Sequence, residues 1–190
     1  MSQKKDKGKI LFFRKSAFEV AELIFNYPNK IFHIRLLEKE TGFSTTAIID
    51  AVKDLGHFKI VQIEETPLTT NVKADLESEA YRFYKLVFNL YRLKRYLFID
   101  GLIEIFNNPK AIVLFGSFGK GEDLEESDID ILVISSNQPD EKLQDFINIF
   151  EKELKRNVNI HILNSLDKSS DEFKNAIANG IVLHGYIKII

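Results

Sequence analysis

The sequence predicts an α/β fold of the α+β type, with a mostly helical first part and a second part in which helices flank a small mixed sheet. Apolar residues recur at helical spacing through most of the first 106 residues. Further along, three apolar runs of strand length, over 111–115, 128–134 and 158–163, alternate with helical patterns. The chain has 190 residues, 45% of them hydrophobic, which suffices for one or two domains with buried cores.

The first part is predicted to contain three helices followed by a two-stranded hairpin. We expect these elements at 16–26, 34–39, 45–55, 58–64 and 70–73. Ser16 and Ser44 are the expected N-caps of the first and third helices. Gly42 lies in a tight turn between the second and third helices, and Gly56 is expected to end the third. Pro67 marks the turn of the hairpin.

This order of elements resembles a winged helix-turn-helix, a fold commonly used to bind DNA, over residues 1–75. In such a fold the third helix enters the major groove, which places Ser44 and Thr45 near the bases. The aspartates of that helix oppose phosphate binding, so Lys59 and Lys73 of the hairpin are better candidates for phosphate contacts. Use of the same unit for dimerisation or for contact with a partner protein remains an alternative to DNA binding.

Residues 76–106 are predicted to form a long connecting helix, interrupted near Gly101. Tyr84, Phe88 and Tyr91 fall on one face of it, with basic residues between them. Basic and aromatic residues together could bind single-stranded nucleic acid. Aromatic residues at helical spacing are more often part of a core, and we expect a helix that packs the two domains together and leaves a homodimer open.

The most informative stretch runs from Ala111 to Ile134. Its first five residues are an apolar run that ends at Gly116, as expected of a buried strand. Glycines in the following turn let the backbone approach a ligand closely. If Ser117 begins a helix, free backbone N–H groups and the positive end of the helix dipole face the turn. The pattern predicts a triphosphate site at Gly116 and Ser117, with Lys120 on the same turn.

Asp128 and Asp130 follow, on a strand in which acidic and apolar residues alternate. Strand side chains point alternately to opposite faces, so the two carboxylates share one face. They would repel each other, and a divalent cation between them removes that cost, with oxygen ligands suiting Mg²⁺ (or Mn²⁺). The pair therefore predicts a metal site, and two such ions could activate an attacking oxygen and hold the leaving oxygens of a triphosphate.

Gly116 and Ser117, ten intervening residues, and then Asp128 and Asp130 resemble the signature of the DNA polymerase β-like nucleotidyltransferases, in particular the minimal nucleotidyltransferases. The resemblance places a nucleotidyltransferase domain at 107–190. It implies Mg²⁺-dependent transfer of a nucleoside monophosphate from a nucleoside triphosphate, ATP by expectation, to an acceptor hydroxyl. It also implies that both aspartates are catalytic and that Gly116, Ser117 and Lys120 bind the nucleotide. Antitoxins that transfer AMP to a partner toxin are among such proteins, so a toxin-like protein acceptor is implied beside a nucleic acid.

Other ligand-binding motifs fit these residues less well. A P-loop requires Gly-Lys-Ser or Gly-Lys-Thr, whereas Gly121 follows Lys120. An EF-hand loop requires a further acid and a glycine, which do not follow Asp130 at the required positions. An acidic pair alone is more often a solvated strand end, so the prediction depends on both motifs occurring at this spacing.

The main departure from the family pattern lies on the predicted strand 158–163. In the family an adjacent strand normally carries a third carboxylate that helps to bind the catalytic metal. Here Asn157, Asn159 and His161 share a face, and none is acidic. Asn159 is the best positional match, and its carbonyl could ligate Mg²⁺, but it brings no charge and cannot take a proton. His161 could serve as the base, although a lone strand histidine is more often structural.

The remaining elements of the second part follow from spacing and caps. They are predicted at 139–155, at a helix ending at Gly180, and at two short strands over 181–183 and 187–190. Pro139 suits the first turn of its helix. Ser169 or Ser170 caps the last helix, and Glu172 would complete a capping box with Ser169.

Composition excludes several classes of protein. The chain has no cysteine, so it has no disulfide framework and no thiolate chemistry. The sequence contains no apolar run of transmembrane length, and the run that ends at Phe13 is too short for a signal-peptide core. We expect a cytoplasmic protein with no membrane partner. Residues 1–109 contain 17 Lys and Arg against 14 Asp and Glu, and 110–190 contain 9 against 14, a weak basic bias of the first part.

Two functions follow from these features. In the first, the protein is an Mg²⁺-dependent nucleotidyltransferase whose winged helix recognises the acceptor. In the second, the catalytic domain is degenerate and the protein is a DNA-binding transcriptional regulator or an antitoxin. The acidic pair favours the enzyme, and Asn159 favours the degenerate domain.

Overall fold

The computed structural model describes residues 14–139 and 141–188. The described residues fall into two compact units that divide between Phe88 and Asn89. The first unit contains the elements α1 Lys15–Asn26, β1 Phe32–His33, α2 Ile34–Thr41, α3 Thr45–His57, β2 Val61–Glu65, β3 Thr70–Ala74 and the first half of α4 Glu79–Arg95. The second unit contains the rest of α4, then α5 Phe98–Ile105, β4 Ala111–Phe115, a 3₁₀ turn Phe118–Lys120, β5 Ile129–Ile134, α6 Leu143–Leu154, β6 Val158–Leu163, α7 Asp171–Ala178 and β7 Ile181–Gly185. No helix of these two ranges is long and apolar enough to cross a bilayer.

The first unit combines three helices with a three-stranded antiparallel sheet in the order β1-β3-β2. Its core forms from the apolar faces that the helical spacing predicted, including Phe18, Ile24, Ile48 and Leu55, which are all buried. The two predicted strands are present, and β1 was not predicted because its two residues are too few to show a periodicity.

The ends of two helices differ from the prediction. The N-cap of α1 is Arg14, and Ser16 lies inside the helix. Gly56 does not end α3, which continues to His57 and is followed by Lys59 in the left-handed region at φ 56°. Ser44 is the N-cap of α3 as predicted, since its Oγ accepts a hydrogen bond from the backbone N–H of Ala47 (3.4 Å).

The long helical stretch is interrupted, but at Leu97 and not at Gly101. Leu97 has a left-handed backbone (φ 58°) between α4 and α5. Gly101 lies inside α5, where a Cβ would collide with the ring of Phe146 on α6. The glycine therefore serves the close approach of two helices, a role that sequence alone does not distinguish from a helix break.

The sheet of the second unit has the order β6-β5-β4-β7. The β5 and β6 strands are parallel, and the other two pairings are antiparallel. One face packs against α5 and α6 through residues such as Leu114 and Ile131, and the opposite face packs against α7 through Val113, Leu132 and Ile177. Successive residues of β4 and β5 enter these two cores in alternation, so both strands are buried on both faces.

Several predicted boundaries in this unit shift. The α6 helix begins at Leu143, four residues after Pro139. The β7 strand extends to Gly185, where the chain has a left-handed turn (φ 70°). Residues 187 and 188 are not in a strand, and the last two residues of the predicted strand 187–190 lie outside the described residues.

The N-cap of α7 is Ser170, whose Oγ accepts a hydrogen bond from the backbone N–H of Phe173 (3.2 Å). The carboxylate of Glu172 is bonded by its own backbone N–H and by the Ser170 hydroxyl, and these bonds hold the pKa of Glu172 below its ordinary value. Ser170 was one of the two predicted caps and is the N-cap. Its N3 residue is Phe173, so the predicted capping box between Ser169 and Glu172 is wrong.

Ser170→Ala is expected to lower the free energy of unfolding by about 1 kcal/mol, since it leaves a helix N–H without its cap. Ser169→Ala is the matched control and should have little effect. Urea denaturation followed by circular dichroism compares the two variants. Equal losses in both would contradict the assignment of the cap to Ser170.

Candidate functional site

Asp128 and Asp130 lie at the end of the second sheet where β5 begins. Asp128 immediately precedes the strand, and Asp130 is its second residue. Asp130 pairs with Phe115 at the end of β4 on one side and with Asn159 of β6 on the other. Since β4 ends and β5 and β6 begin at this edge, the strands bring the acidic pair, Gly116 and Asn159 together.

Gly116 allows this close approach. It has a left-handed backbone (φ 72°), and a Cβ built on it would lie 2.5 Å from Oδ2 of Asp130. Any other residue would need both an unfavourable φ and a displacement of the carboxylate. The glycine of the predicted motif therefore shapes the site through its contact with Asp130 as well as through its turn.

Two asparagine amides bind the acidic pair. The Asn157 amide donates to Oδ1 of Asp128 (3.0 Å). The Asn159 amide donates to Oδ2 of Asp128 (3.1 Å) and to Oδ1 of Asp130 (3.2 Å). A single NH₂ group within hydrogen-bonding distance of both carboxylates shows that the two side chains converge on one point. Sequence analysis placed Asn157 on this face but gave it no role.

The donor set suits one magnesium ion. Mg²⁺ is commonly bound by one or two carboxylates together with phosphate oxygens of the substrate and water, and Asp128 and Asp130 provide such a pair. A 180° rotation of the Asn159 side-chain amide would direct its oxygen, in place of its NH₂ group, toward a cation between the two carboxylates. Within residues 14–139 and 141–188 no group of three or more His, Asp or Glu side chains that could hold a metal is found.

The turn after β4 is closed by its own backbone. The carbonyl of Ser117 accepts hydrogen bonds from the N–H groups of Lys120 and Glu122, both at 3.0 Å. Only one 3₁₀ turn of three residues forms, so the expected helix after Ser117 is absent and the dipole contribution of a full helix is not available. Ser117 is half-buried and Lys120 is exposed on this turn, so both remain candidates for phosphate contacts through side chain and backbone.

Asn89 of α4 holds the same turn in place through two hydrogen bonds. Its amide donates to the carbonyl of Phe118 (3.0 Å) and to Oδ1 of Asp123 (2.7 Å), and both polar side chains are almost fully buried. Buried hydrogen bonds of this kind specify a loop conformation. Sequence analysis missed Asn89, and the available signal was a single amide within a run of apolar and aromatic residues.

A polar cleft of about 540 Å³ adjoins the acidic pair. Asn157 lines this cleft and also donates to Asp128, so the cleft begins beside the carboxylates. Its other lining residues are Glu125, Glu126, Ser127, Glu151, Lys155 and Arg156. Both signs of charge are present, which suits a polar ligand group rather than an apolar one.

The candidate nucleic-acid residues of the first unit differ in their surroundings. Ser44 is engaged as the cap of α3, while Thr45 and Lys73 are exposed. Lys59 lines a cleft with Asp75, Glu77 and Glu79, whose negative charge disfavours phosphate.

The aspartates of α3 are partly neutralised. The guanidinium of Arg14 lies 2.6 Å from Asp54 and 3.7 Å from Asp50. The hydrogen bond to Asp54 raises the pKa of Arg14 further above its ordinary value, so the pair stays ionised. The predicted repulsion of phosphate by this helix is correspondingly weaker.

Comparison with known proteins gives a family match within the second unit. None of the curated proteins matches the chain. A solved structure described as "Crystal structure of the toxin-antitoxin with AMP-PNP" contains a chain that is 25% identical, with coverage of 46% of this chain and 73% of that chain and a TM-score of 0.34, which is too low to support a conclusion about fold or function. Residues 99–186 match the family described as "Polymerase beta, Nucleotidyltransferase". The C-terminal part of the chain therefore contains a nucleotidyltransferase domain.

Proposed function

We propose that the protein is an Mg²⁺-dependent nucleotidyltransferase that moves a nucleoside monophosphate from a nucleoside triphosphate, ATP by expectation, to a hydroxyl of a protein or nucleic acid acceptor. The observation that carries this proposal is the convergence of Asp128 and Asp130 on one amide group, beside the glycine turn, in a domain that matches a nucleotidyltransferase family. Convergent carboxylates at the edge of a sheet, next to an open backbone turn, suit a metal-bound triphosphate.

Each residue has a defined task in this proposal. Asp128 and Asp130 would hold Mg²⁺, which would supply positive charge to neutralise the triphosphate. Gly116 and Ser117 would donate hydrogen bonds to the phosphates along the turn, and Lys120 would add a positive charge there. Asn157 and Asn159 orient the carboxylates through the observed hydrogen bonds.

Asn159 limits the rate in this scheme. The oxygen of its amide can contact a cation but cannot take the proton of the attacking hydroxyl. The domain consequently lacks the base that a third carboxylate would supply, and we expect transfer to be slower than with such a group.

Other parts of the chain would bind the acceptor of the nucleotidyl group. The polar cleft beside Asp128 would admit the acceptor hydroxyl with its polar surroundings. We propose that residues 1–75 form a winged helix-turn-helix that recognises the acceptor, supported by the three helices and the antiparallel sheet of that region. Residues 76–106 would connect it to the catalytic domain at 107–190. A toxin-like partner protein is one such acceptor, since the mixed charges of the cleft suit a polar group of a protein surface.

A second candidate function is a catalytically inactive domain in a DNA-binding regulator or an antitoxin. The observation that favours it is the pair of amides on the acidic residues, because Asn157 and Asn159 donate hydrogen bonds to both oxygens of Asp128 and to one of Asp130. Amide donors stabilise the carboxylates in place of a cation, so the site can persist as a purely structural one.

Calorimetric titration of ATP, with and without Mg²⁺, into wild type and Asn159→Asp tests both candidate functions. We expect Mg²⁺ to strengthen ATP binding to wild type, and we expect Asn159→Asp to strengthen it further by roughly ten-fold, because it adds a third carboxylate. In single-turnover transfer assays the same variant should be faster, since it gains a base.

The outcomes separate the two functions. Binding by Asn159→Asp but not by folded wild type would assign the natural chain to the inactive domain. No binding by either variant, with circular dichroism showing intact folds, would overturn the nucleotidyltransferase proposal. DNA binding by the first unit, measured against increasing salt, would then become the leading function.

A further inference from the structure

Three aromatic side chains form a cluster near the acidic pair. This aromatic cluster consists of Phe115 at the end of β4, His161 on β6 and Phe173 on α7. The ring of His161 lies 5.4 Å from that of Phe115 and 5.7 Å from that of Phe173, and the two phenylalanine rings are 5.6 Å apart. Each ring touches the other two, at separations typical of aromatic contacts.

The aromatic cluster lies on the same face of the sheet as the carboxylates. Phe115 belongs to the core on the α7 face, and Asp130 alternates onto that face with Leu132. Asn159, which bridges the two acids, and His161 are two residues apart on β6 and therefore share this face as well. Two residues of a strand span about 6.6 Å, a distance that a ribose covers.

The three rings differ in exposure. Phe115 is buried, Phe173 is half-buried and His161 is exposed. Among the described residues the imidazole makes no hydrogen bond, so packing against the two phenylalanines holds it in place. An exposed flat ring that packs against one buried and one half-buried ring is the arrangement of a stacking platform.

We propose that the aromatic cluster is the nucleobase subsite of the nucleotidyltransferase domain, with His161 as the ring on which the base stacks. This inference rests on the proposed function, and it specifies where the base lies when the triphosphate occupies the glycine turn and Asp128 and Asp130. His161 is thereby a binding residue and not the general base that its sequence position also suggested.

The chemistry of the platform determines its selectivity. Stacking depends on the area of the ring and not on its hydrogen-bonding edge, because every base presents a π-face. The subsite should therefore bind ATP and GTP with similar affinity, and both more tightly than CTP and UTP.

The test separates binding of the base from binding of the phosphates. Mg²⁺-ATP and Mg²⁺-tripolyphosphate, which lacks a base, are titrated into wild type, His161→Ala and His161→Phe by calorimetry. His161→Ala should weaken ATP binding by roughly ten-fold and leave tripolyphosphate binding unchanged. His161→Phe should retain ATP affinity because it keeps a flat ring. His184→Ala, on the far edge strand β7, is the matched control and should match wild type.

Each other outcome overturns the subsite. If wild type binds tripolyphosphate as tightly as ATP, or if His161→Ala leaves the ATP affinity intact, the base does not stack on this cluster although the proposed function stands. An equal loss for both ligands would assign His161 to the phosphates. If wild type binds neither ligand, the proposed function and the subsite are both overturned.

Discussion

Asp130→Asn is expected to abolish Mg²⁺-dependent triphosphate binding and nucleotidyl transfer, with transfer falling by at least about 100-fold. The substitution keeps the shape of the side chain but removes its charge. Only Asp128 would then remain as a charged ligand, and the Asn159 amide, which now bridges both carboxylates, would bridge one carboxylate and one amide. One carboxylate does not neutralise a divalent cation, so the loss should appear in calorimetry as the disappearance of the Mg²⁺ effect.

Glu122→Gln is the matched control for this change. It also removes one negative charge, and Glu122 is exposed in the loop between the glycine turn and β5. Its backbone N–H bonds to the Ser117 carbonyl and is retained in the variant. We expect wild-type binding and transfer from Glu122→Gln. Transfer by a folded Asp130→Asn protein at the wild-type rate would exclude Asp130 as a metal ligand.

The geometry of the acidic pair was predictable because strand periodicity alone determines it. Asp128, Ile129 and Asp130 alternate in the sequence, and a buried strand orders them onto two faces whatever packs around it. Asn159 was a looser positional match to a third carboxylate, since its place depends on the parallel register of β5 and β6, which pairs it with Asp130. The roles of these residues in metal binding and catalysis stay predictions.

Two of the features that were missed from the sequence depend on contacts distant in sequence. Asn89 supports the glycine turn across 29 residues of sequence to Phe118, and no local pattern indicates such a partner. Gly101 was interpreted as a helix break. A glycine that ends a helix cannot be distinguished from the sequence alone from one that leaves space for a neighbouring ring, as Gly101 does for Phe146. The helix expected at Ser117 failed for a local reason: the chain turns at Gly121 (φ 71°) after three residues, so no further helical turn can form.

The aromatic cluster also depends on contacts between residues distant in sequence. Its members lie on β4, β6 and α7, and its formation requires the sheet order β6-β5-β4 and the docking of α7 on one face. From the sequence alone, His161 could be interpreted only as a base or as a structural residue. Its contact with Phe115 and Phe173 is the observation behind the binding role that we propose for it.

Gly116→Ala is expected to remove most Mg²⁺-dependent triphosphate binding without touching a charged group. Two effects add at this residue. The left-handed backbone costs an alanine about 1 kcal/mol, and its Cβ would lie 2.5 Å from Oδ2 of Asp130, far inside van der Waals contact. The carboxylate must therefore rotate or the turn must move, and either change separates Asp130 from Asp128 or displaces the backbone that would accept the phosphates.

Gly42→Ala isolates the backbone effect from the collision. Gly42 has nearly the same conformation (φ 71°), but a Cβ there meets no atom within 4 Å. Both variants should lose a similar amount of stability from backbone strain, measured as the midpoint of denaturation of the unit that carries each glycine. Only Gly116→Ala should also lose ATP affinity, by roughly ten-fold or more in calorimetry. If both variants bind ATP like wild type, the approach of Gly116 to Asp130 is a packing feature of the domain, and the triphosphate must bind elsewhere.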